Sequence, residues 1–315
     1  MKTTLIIVNH NGRDLLEASV PAALEAARRA GRHPVMVADD GSTDDSIEFL
    51  CRRFPEVRVV ALPKRGFGAV CNGGVAAADT ETAVLLNNDA IVSPDFLGPL
   101  LQDLAQPDVF AVGCKFLNPD GSLTDTVGNR TSGEWRGGLL HIHHETRPER
   151  LAHTCRQLYA NGGGMAFSRQ KWLALGGFDP LYLPIYWEDA DLGYRAWSRG
   201  WVVLYEPASV VFHDQGSTMK RLHRPPRIEL ISTKNALLFC WRNLLEPSLF
   251  RRAIAAQARW TADDVLIGTP PNRTAALWLA LRQLRQACRG RAEERRERVR
   301  SDQEILALAT EGQNE

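Results

Sequence analysis

The amino-acid sequence predicts an α/β fold with a mostly parallel central sheet flanked by helices. Short apolar runs alternate with helical patterns through the first 115 residues, which is typical of βαβ units. Polar residues cluster directly after several of these runs, where open parallel sheets bind ligands. The chain has 315 residues, 44% hydrophobic and 24% charged, which is enough for one large or two moderate globular domains.

The first half of the chain supplies most of the predicted sheet. Strands are predicted at residues 3–8, 35–38, 57–61, 83–86 and 109–112, and helices at residues 15–29, 44–53, 68–78 and 94–105. Ser42 and Thr43 precede the second helix, and Ser93 followed by Pro94 is typical of an N-cap with proline at the first helical position. We therefore expect hydroxyl side chains to cap these two helices.

The second half has weaker signals. Residues 115–156 are polar and glycine-rich, with a strong turn signal at 118–121. Periodic segments follow at 158–168, from about 169, at 189–199, 202–205 and 209–212, and the chain is helical and basic after about 219. His141, His143 and His144 lack a nearby cysteine or a helical His-x-x-x-His spacing, so we expect them in a polar loop and not in a zinc site.

Charge and cysteine usage restrict the partners. Residues 1–218 hold 20 Lys+Arg against 26 Asp+Glu, and residues 219–315 hold 18 against 11, so a basic tail follows an acidic body. The tail favours an anionic surface as partner, whereas the lack of a recognised module disfavours nucleic acid. The sequence has no C-x-x-C pair, no run of 18 apolar residues and no signal-peptide core. These features predict a protein of the reducing cytoplasm.

Two polar clusters follow strands in the first half. One joins residues 8–12 to residues 39–44, where the carboxylates of Asp39 and Asp40 can accept hydrogen bonds from a pyrimidine N–H or sugar hydroxyls. A capped turn is the alternative interpretation. The other, Asn87-Asn88-Asp89, points a carboxylate out of a buried strand, where Mg²⁺ or Mn²⁺ can bridge it to a diphosphate.

Two further clusters lie in the second half. Glu188, Asp189 and Asp191 open a predicted helix, and the helix dipole favours acids there without requiring all three. One of these carboxylates is therefore a candidate general base for a sugar hydroxyl. Glycines at 162–164 allow close backbone approach to a ligand. His213 follows a strand and can complete a metal site with Asp89, although an isolated histidine is more often structural.

In this order, the four clusters together resemble the inverting glycosyltransferases of family 2 over residues 3–218. The matching segments are residues 8–12, 39–44, 66–74, 87–89, 163–164 and 187–191, and His213 with 216–217. The resemblance implies the GT-A fold with a Rossmann-like sheet. It also implies a nucleotide-sugar-binding half at 1–115, an acceptor-binding half at 116–218 and a basic helical extension at 219–315.

The resemblance implies a role for each matching residue. Asp189 corresponds to the catalytic base, and Glu188 to a residue that orients the acceptor or donor. Asp89 corresponds to the last acid of the metal-binding D-x-D motif and His213 to a second ligand of Mg²⁺ or Mn²⁺, whereas Asn87 replaces the first acid. The residues implied to bind the nucleotide sugar are Val8, Asn9, Asn11, Asp39, Asp40, Gly66, Gly68, Asn72 and Asn88. Those implied to bind the acceptor are Gly163, Gly164, Trp187 and Asp191.

Residues 64–69 and 234–239 are similar to the rhamnosyltransferase-like branch, which implies dTDP-rhamnose as the donor, with UDP-sugars as the main competitor. The implied acceptor is a hydroxyl of a saccharide or lipid-linked glycan in cell-surface polysaccharide biosynthesis. A sugar nucleotidyltransferase and a non-catalytic nucleotide-sugar-binding scaffold are the rival interpretations. The basic tail fits either a peripheral contact with the inner face of the cell membrane or helices packed on the catalytic domain.

Overall fold

The computed structural model describes residues 1–124, 129–213, 225–267 and 272–311. The strands are β1 (Thr3–Asn9), β2 (Val35–Asp40), β3 (Arg58–Leu62), β4 (Thr82–Asn87), β5 (Ala90–Val92), β6 (Val109–Leu117), β7 (Thr131–Arg136), β8 (Leu139–His144), β9 (Cys155–Arg156), β10 (Gly164–Ser168) and β11 (Val202–His213). The first helices are α1 (Arg13–Arg29), α2 (Ser46–Arg53), α3 (Phe67–Ala77), α4 (Leu97–Leu104), α5 (Arg169–Leu175) and α6 (Glu188–Ser198). The C-terminal helices are α7 (Pro225–Asn243), α8 (Pro247–Ile267), α9 (Asn272–Leu281), α10 (Leu284–Glu297) and α11 (Asp302–Thr310).

Nine of the described strands form one mixed sheet in the order β3-β2-β1-β4-β10-β6-β11-β5, with β9 paired to β11. Six strands, β1 to β4, β6 and β11, run in the same direction, and β10 runs against its neighbours β4 and β6. All seven residues of β1 are buried, as expected for a central strand covered on both faces. The predicted α/β fold with a mostly parallel sheet is confirmed.

The three histidines lie on a strand, so the expected polar loop is wrong. β7 and β8 form a separate antiparallel hairpin in which Arg136 pairs with Leu139 across Gly137 and Gly138. Both glycines have positive φ, +56° and +87°, as a two-residue hairpin turn requires. The Gly-Gly pair was the sequence signal for this hairpin. Among the described residues, no group of three or more His, Cys, Asp or Glu is placed to hold a metal ion.

Several predicted element boundaries also differ. The two strands expected at 202–212 are one strand, β11, with a register shift against β6 between Glu206 and Val210. The segment expected at 158–168 becomes a strand only from Gly164. Helix α4 begins at Leu97, three residues after the proline, and α2 follows Asp45. Neither helix has a side-chain cap. The Ser42 hydroxyl hydrogen-bonds to Asp39 instead, and the Ser93 carbonyl oxygen accepts from the Phe96 N–H in a turn before α4.

The C-terminal helices pack on the sheet domain and share its core. Leu238 and Phe239 of α7 are fully buried, and the Phe239 ring lies 5.3 Å from that of Tyr194 in α6. In α11, Asp302 accepts a 2.8 Å hydrogen bond from the Tyr194 hydroxyl. The predicted boundary at 218 and the matching residues 216–217 lie outside the described residues. No helix in the described part of the chain is long and apolar enough to cross a bilayer.

Candidate active site at the carboxyl edge of the sheet

Polar residues from several strands meet at one edge of the sheet. β1, β2, β4 and β11 run in the same direction, so their carboxyl ends lie at this edge. β10 runs the opposite way, and its first residue, Gly164, pairs with Leu86 near the end of β4. The start of α6 joins the same edge, because the Gly162 N–H donates to Asp189 Oδ2 at 3.5 Å. The topology thus brings together the residues predicted for nucleotide, metal and catalysis.

The ends of β1 and β2 are tied into one hydrogen-bonded cluster. Asn9 Nδ2 donates to Asp39 Oδ2 at 2.9 Å, and Asn9 Oδ1 accepts from Asn88 Nδ2 at 2.8 Å. Ser42 Oγ donates to Asp39 at 2.6 Å and accepts from the Asn11 N–H at 2.8 Å. Asp39 is fully buried and Asn9 nearly so. Both therefore shape the loops that carry exposed Asn11, and direct contact between this cluster and a nucleotide stays a prediction.

Asp40 fixes the loop before α3. Its Oδ1 accepts from the Arg65 N–H at 2.8 Å, and its Oδ2 accepts from the Gly66 N–H at 3.0 Å. Gly66 has a φ of +98°, and a Cβ there would lie 3.1 Å from the carbonyl oxygen of Pro184. Glycine is the residue that takes this conformation at least cost. Val8, also implied in nucleotide binding, is a buried residue of β1. It pairs with β2, the strand that ends at Asp40.

Asn72 braces α3 against the segment that follows α5. Its Nδ2 donates to the Phe178 carbonyl at 2.8 Å, and its Oδ1 accepts from the Phe178 N–H at 2.9 Å. Gly68 lies against the same residue, where a Cβ would meet Phe178 Cβ at 3.4 Å. The Asn72 amide is thus engaged with backbone, and the contact of Asn72 and Gly68 with a donor stays a prediction.

Asp89 and His213 meet across the β5–β11 pair. Asp89 directly precedes β5, and the register places His213 opposite Ala90. His213 Nε2 lies 3.0 Å from Asp89 Oδ1, within ion-pair distance, but the angle between the two groups forms no hydrogen bond. Within the described chain, Asp89 Oδ1 and both ring nitrogens of His213 are buried without a hydrogen-bond partner. A carboxylate and an imidazole left unsatisfied in this way fit the ligands of a divalent cation.

Glu188 and Asp189 form the first turn of α6. Burial raises the pKa of Asp189 to about 6, against the opposing effect of hydrogen bonds from the Ala190 and Gly162 N–H groups. Burial, and then the Asp189 charge, raises the pKa of Glu188 well above its ordinary value. Asp189 keeps some exposed surface, whereas Glu188 is buried. Asp189 is therefore ionised at neutral pH and basic enough to take a proton.

The Asp40 loop and the start of α6 both lie near Cys71 of α3. The pKa of the Cys71 thiol in α3 is raised by burial and then by the negative charges of Glu188, Asp40 and Asp189. Since such charge effects fall with distance, all three carboxylates lie within electrostatic range of the Cys71 thiol.

Trp187 leads into α6 with an unusual backbone. Tyr186 and Trp187 have φ values of +71° and +79°, in the left-handed region that non-glycine residues seldom adopt. The Trp187 Nε1 donates to Ser232 Oγ at 3.4 Å, and its ring lies 5.1 Å from that of Phe239. Strained residues of this kind cluster at functional sites, where neighbouring contacts hold them. The predicted contact of Trp187 with an acceptor stays a prediction.

Gly163 and Gly164 let β10 enter between its neighbours. A Cβ on Gly163 would meet Asn87 Nδ2 at 2.7 Å, and one on Gly164 would meet Cys114 Sγ at 2.7 Å. The Gly163 carbonyl accepts from the Asn87 N–H at 3.1 Å. Close packing explains both glycines, and a backbone contact with an acceptor stays a prediction.

The structure corrects the acceptor-binding role that the resemblance implied for Asp191, because the fully buried side chain of Asp191 offers no surface to an acceptor. Its Oδ1 accepts from the Tyr182 hydroxyl at 2.8 Å and from Asn243 Nδ2 at 2.7 Å, and its Oδ2 accepts from Arg195 Nε at 2.6 Å. Burial opposes its ionisation, but the charges of Arg195 and Arg242 outweigh it and lower the pKa. Asp191 ties α6 to α7.

Sequence reasoning included Asn235 in the segment 234–239 but gave it no role. It is a fully buried residue of α7 that hydrogen-bonds to the backbone leading into α6. Its one local signal was an amide directly before the apolar run at 236–241. Nothing in that pattern indicates which backbone the amide contacts.

Comparison with known proteins gives a family match. The profile of the family described as "Glycosyltransferase like family 2" matches residues 2–229. An N-acetylglucosaminyl-diphospho-decaprenol L-rhamnosyltransferase of Mycobacterium tuberculosis is 28% identical over 211 residues, which cover 59% of this chain and 68% of that protein. The O-antigen biosynthesis protein RfbC of Myxococcus xanthus is 25% identical over 229 residues, which cover 70% of this chain and 18% of that protein.

Solved structures share the fold. The mannosyltransferase PcManGT of Pyrobaculum calidifontis, in complex with GDP-Man and Mn²⁺, aligns with a TM-score of 0.53 and 18% identity over 98% of this chain and 86% of its own. Residues 1–349 of TarS from S. aureus, in complex with UDP-GlcNAc, align with a TM-score of 0.58 and 13% identity over 94% of this chain and 90% of that one. At these identities the likeness concerns the fold, and it confirms the GT-A architecture.

Proposed function

Since this chain belongs to glycosyltransferase family 2, we propose that it transfers a sugar with inversion from a nucleoside diphosphate to an acceptor hydroxyl, with Asp189 as the base. The observation that carries this proposal is the meeting, at one sheet edge, of a partly exposed carboxylate of raised pKa with an unsatisfied Asp–His pair. This arrangement supports the proposal that chemistry and diphosphate binding take place at the same edge of the sheet.

The residues divide the work of the reaction. Asp189 removes the proton of the acceptor hydroxyl while that oxygen attacks the anomeric carbon from the face opposite the diphosphate. The carbon–oxygen bond to the diphosphate breaks as the new glycosidic bond forms, so the configuration inverts. Asn11 and the loop held by Asp40 are proposed to bind the nucleotide, and Glu188 to orient the acceptor or donor.

Asp89 and His213 are the residues that would hold Mg²⁺ or Mn²⁺. Their buried oxygen and nitrogens without hydrogen-bond partners support this assignment. When bound, the cation supplies positive charge that neutralises the departing diphosphate. With Asn87 in place of the first acid of D-x-D, the protein contributes one carboxylate fewer than the family motif, so we expect weaker metal binding without nucleotide than with it.

Donor and acceptor are proposed from the relatives. The name of the mycobacterial relative specifies a rhamnosyl donor group and a diphospho-decaprenol acceptor, and RfbC is named for O-antigen biosynthesis. We therefore propose dTDP-rhamnose as the first donor to test, with UDP-sugars as the competitor, and a lipid-linked or saccharide acceptor in cell-surface glycan synthesis. The family match weighs against a nucleotidyltransferase, and the raised pKa of Asp189 weighs against a scaffold, which needs no base.

A membrane contact is proposed at the corner between α9 and α10. Trp278, Leu281 and Leu284 are 58%, 50% and 39% exposed there. The Arg282 guanidinium lies 4.6 Å from the Trp278 ring. No acidic residue occurs between 272 and 292. Exposed tryptophan and leucine surrounded by arginine match the chemistry of an anionic membrane interface. The exposed arginines of this arginine corner are Arg273, Arg282, Arg285 and Arg289.

The test of the transferase proposal is thermal unfolding with dTDP-rhamnose, UDP-glucose, UDP-galactose, UDP-N-acetylglucosamine and GDP-mannose, each with Mn²⁺ and with EDTA. A donor at about 100 times its Kd stabilises the folded state by roughly 2.7 kcal/mol, which raises the Tm by several degrees. We expect one nucleotide class to raise the Tm, and Mn²⁺ to enlarge the shift. Folded protein that responds to none of the five would contradict the proposed site.

A further inference from the structure

The backbone that leads into α6 is held by the C-terminal helix α7. This entry segment comprises residues 182–187 and ends at the two left-handed residues Tyr186 and Trp187, directly before Glu188. A left-handed pair of non-glycine residues persists only where surrounding contacts hold it.

Asn235 makes most of these contacts with one amide group. Its Nδ2 lies 2.9 Å from the Tyr182 carbonyl, 2.9 Å from that of Ile185 and 2.8 Å from that of Tyr186. Asn235 is fully buried, and its Oδ1 accepts no hydrogen bond from the described residues. A buried acceptor without a hydrogen bond costs stability. We therefore attribute the burial of the Asn235 amide to the hydrogen bonds that its Nδ2 donates, and not to packing.

The neighbouring residues of α7 reinforce this hold. Lys234 Nζ donates to the Leu183 carbonyl at 3.3 Å, and Ser232 Oγ accepts from the Trp187 indole at 3.4 Å. Lys234 is itself nearly buried. Side chains at three positions of one turn of α7 therefore contact the entry segment.

The other side of the entry segment faces the predicted donor loop. The Pro184 carbonyl oxygen lies where a Cβ on Gly66 would approach it to 3.1 Å. At its far end, the Trp187 carbonyl accepts from the Asp191 N–H at 2.8 Å and so begins α6. The segment thus runs from the donor loop to the base, with α7 behind it.

We propose that Asn235 is a positioning residue that sets the place of Asp189 through the entry segment. This inference rests on the proposed function, and it makes α7 part of the catalytic apparatus. Because misplacing a reacting group by about 1 Å can cost roughly 100-fold in rate, loss of the three amide contacts should reduce turnover more than donor binding.

The test compares variants of the full-length chain. For Asn235→Ala we expect kcat to fall by about 10- to 100-fold, with the donor KM within about twofold of the wild type. The acidic limb of the kcat profile should also move to lower pH, because a loosened entry segment admits water to Asp189. Lys234→Met removes one weaker contact with the entry segment, together with a 3.1 Å hydrogen bond to Gln283 Oε1, and we expect a smaller change in the same direction.

Gln257→Ala is the matched control. Gln257 is a buried amide of α8 that contacts the Trp241 indole at 2.9 Å and the Gly138 carbonyl at 2.7 Å, away from the entry segment. We expect it to lower the Tm and to leave kcat and its pH profile unchanged. Equal losses of kcat in Asn235→Ala and Gln257→Ala, or a normal kcat in folded Asn235→Ala, would overturn the inference.

Hydrogen–deuterium exchange separates this inference from the proposed function. We expect Asn235→Ala, and to a lesser degree Lys234→Met, to accelerate exchange across residues 182–192, whereas Gln257→Ala should not. If the wild type transfers no sugar, the proposed function fails while exchange still decides whether Asn235 holds the segment. Unchanged exchange in both α7 variants would refute the positioning role whatever the activity.

Discussion

A substitution at Asp189 can separate an effect on proton transfer from an effect on donor binding. Asparagine has nearly the same shape and retains an oxygen that accepts the Ala190 N–H, at 2.8 Å in the native protein, but it cannot take a proton. We predict that Asp189→Asn lowers kcat by at least roughly 100-fold and leaves donor affinity within about twofold. Initial rates and donor titrations with Mn²⁺ measure the two effects.

The control for that variant is Asp14→Asn, which removes a carboxylate that is 91% exposed on α1. It should leave both quantities unchanged. Near-normal turnover by Asp189→Asn would remove Asp189 from the role of base.

The pH dependence of turnover follows from the same side chain. Burial raises the pKa of Asp189 from 3.8 to about 6, and only the ionised form accepts a proton. We therefore predict that kcat at saturating substrates is constant near neutral pH and falls about tenfold per pH unit below pH 6. Rates between pH 5 and pH 8 measure this limb.

Loss of the metal ion in acid would also lower activity. Excess Mn²⁺ separates the two causes, since it restores metal binding but cannot ionise Asp189. A decline at pH 5.5 that excess Mn²⁺ fully reverses would contradict the assignment of this limb to Asp189.

At the scale of elements, the proposed metal site depends on the pairing of β5 with β11. The register places His213 opposite Ala90 and so brings it to Asp89. We predict that Asp89→Asn and His213→Ala each raise the Mn²⁺ concentration for half-maximal activity by about tenfold or more. His143→Ala, a histidine exposed on β8, is the matched control. Variants that need no more Mn²⁺ than the wild type would exclude the pair as ligands.

Sequence patterns predicted those strands and helices whose formation depends on residues close together in the chain. Apolar runs identified β1, β2 and β4, and the helical period identified α1, α3 and α6, because both patterns depend on residues close in the chain. The expected cap of α2 failed because the Ser42 hydroxyl donates to Asp39, three residues earlier, and accepts from the Asn11 N–H, 31 residues earlier. β11 was split in the prediction because its continuity comes from pairing with β6 and β5.

The candidate site shows the same division. The positions of Asp89, Asp189 and His213 at this edge of the sheet were predictable, because each sits in a short motif beside a strand or helix end, whereas their roles stay predictions. Asn235 was not, since its acceptors are backbone carbonyls about 50 residues earlier, which no local pattern reports. The buried position of Asp191 was equally hidden, because its partner Asn243 lies on another helix.

At the scale of the whole molecule, the basic tail divides into two parts with different surroundings. Leu238 and Phe239 of α7 are fully buried, so this part matches the interpretation of helices packed on the catalytic domain. In the arginine corner, Trp278 is 58% exposed. Composition could not separate the two parts, because both combine arginine, leucine and tryptophan. Only tertiary packing decides which of them is covered.

The arginine corner yields a prediction about membranes that is independent of activity. We expect the wild type to bind vesicles containing about 30% phosphatidylglycerol, to bind phosphatidylcholine vesicles poorly, and to lose binding at high salt.

Leu281→Ser should weaken binding about tenfold, because burial of a leucine side chain in the interface contributes roughly 1.5 kcal/mol or more. Leu173→Ser is the matched control, since Leu173 and Leu281 are each 50% exposed and Leu173 lies on α5. Vesicle flotation measures all five cases. Equal binding by the two serine variants, or none by the wild type, would show that the corner does not meet the membrane, and its apolar surface would then need a protein partner.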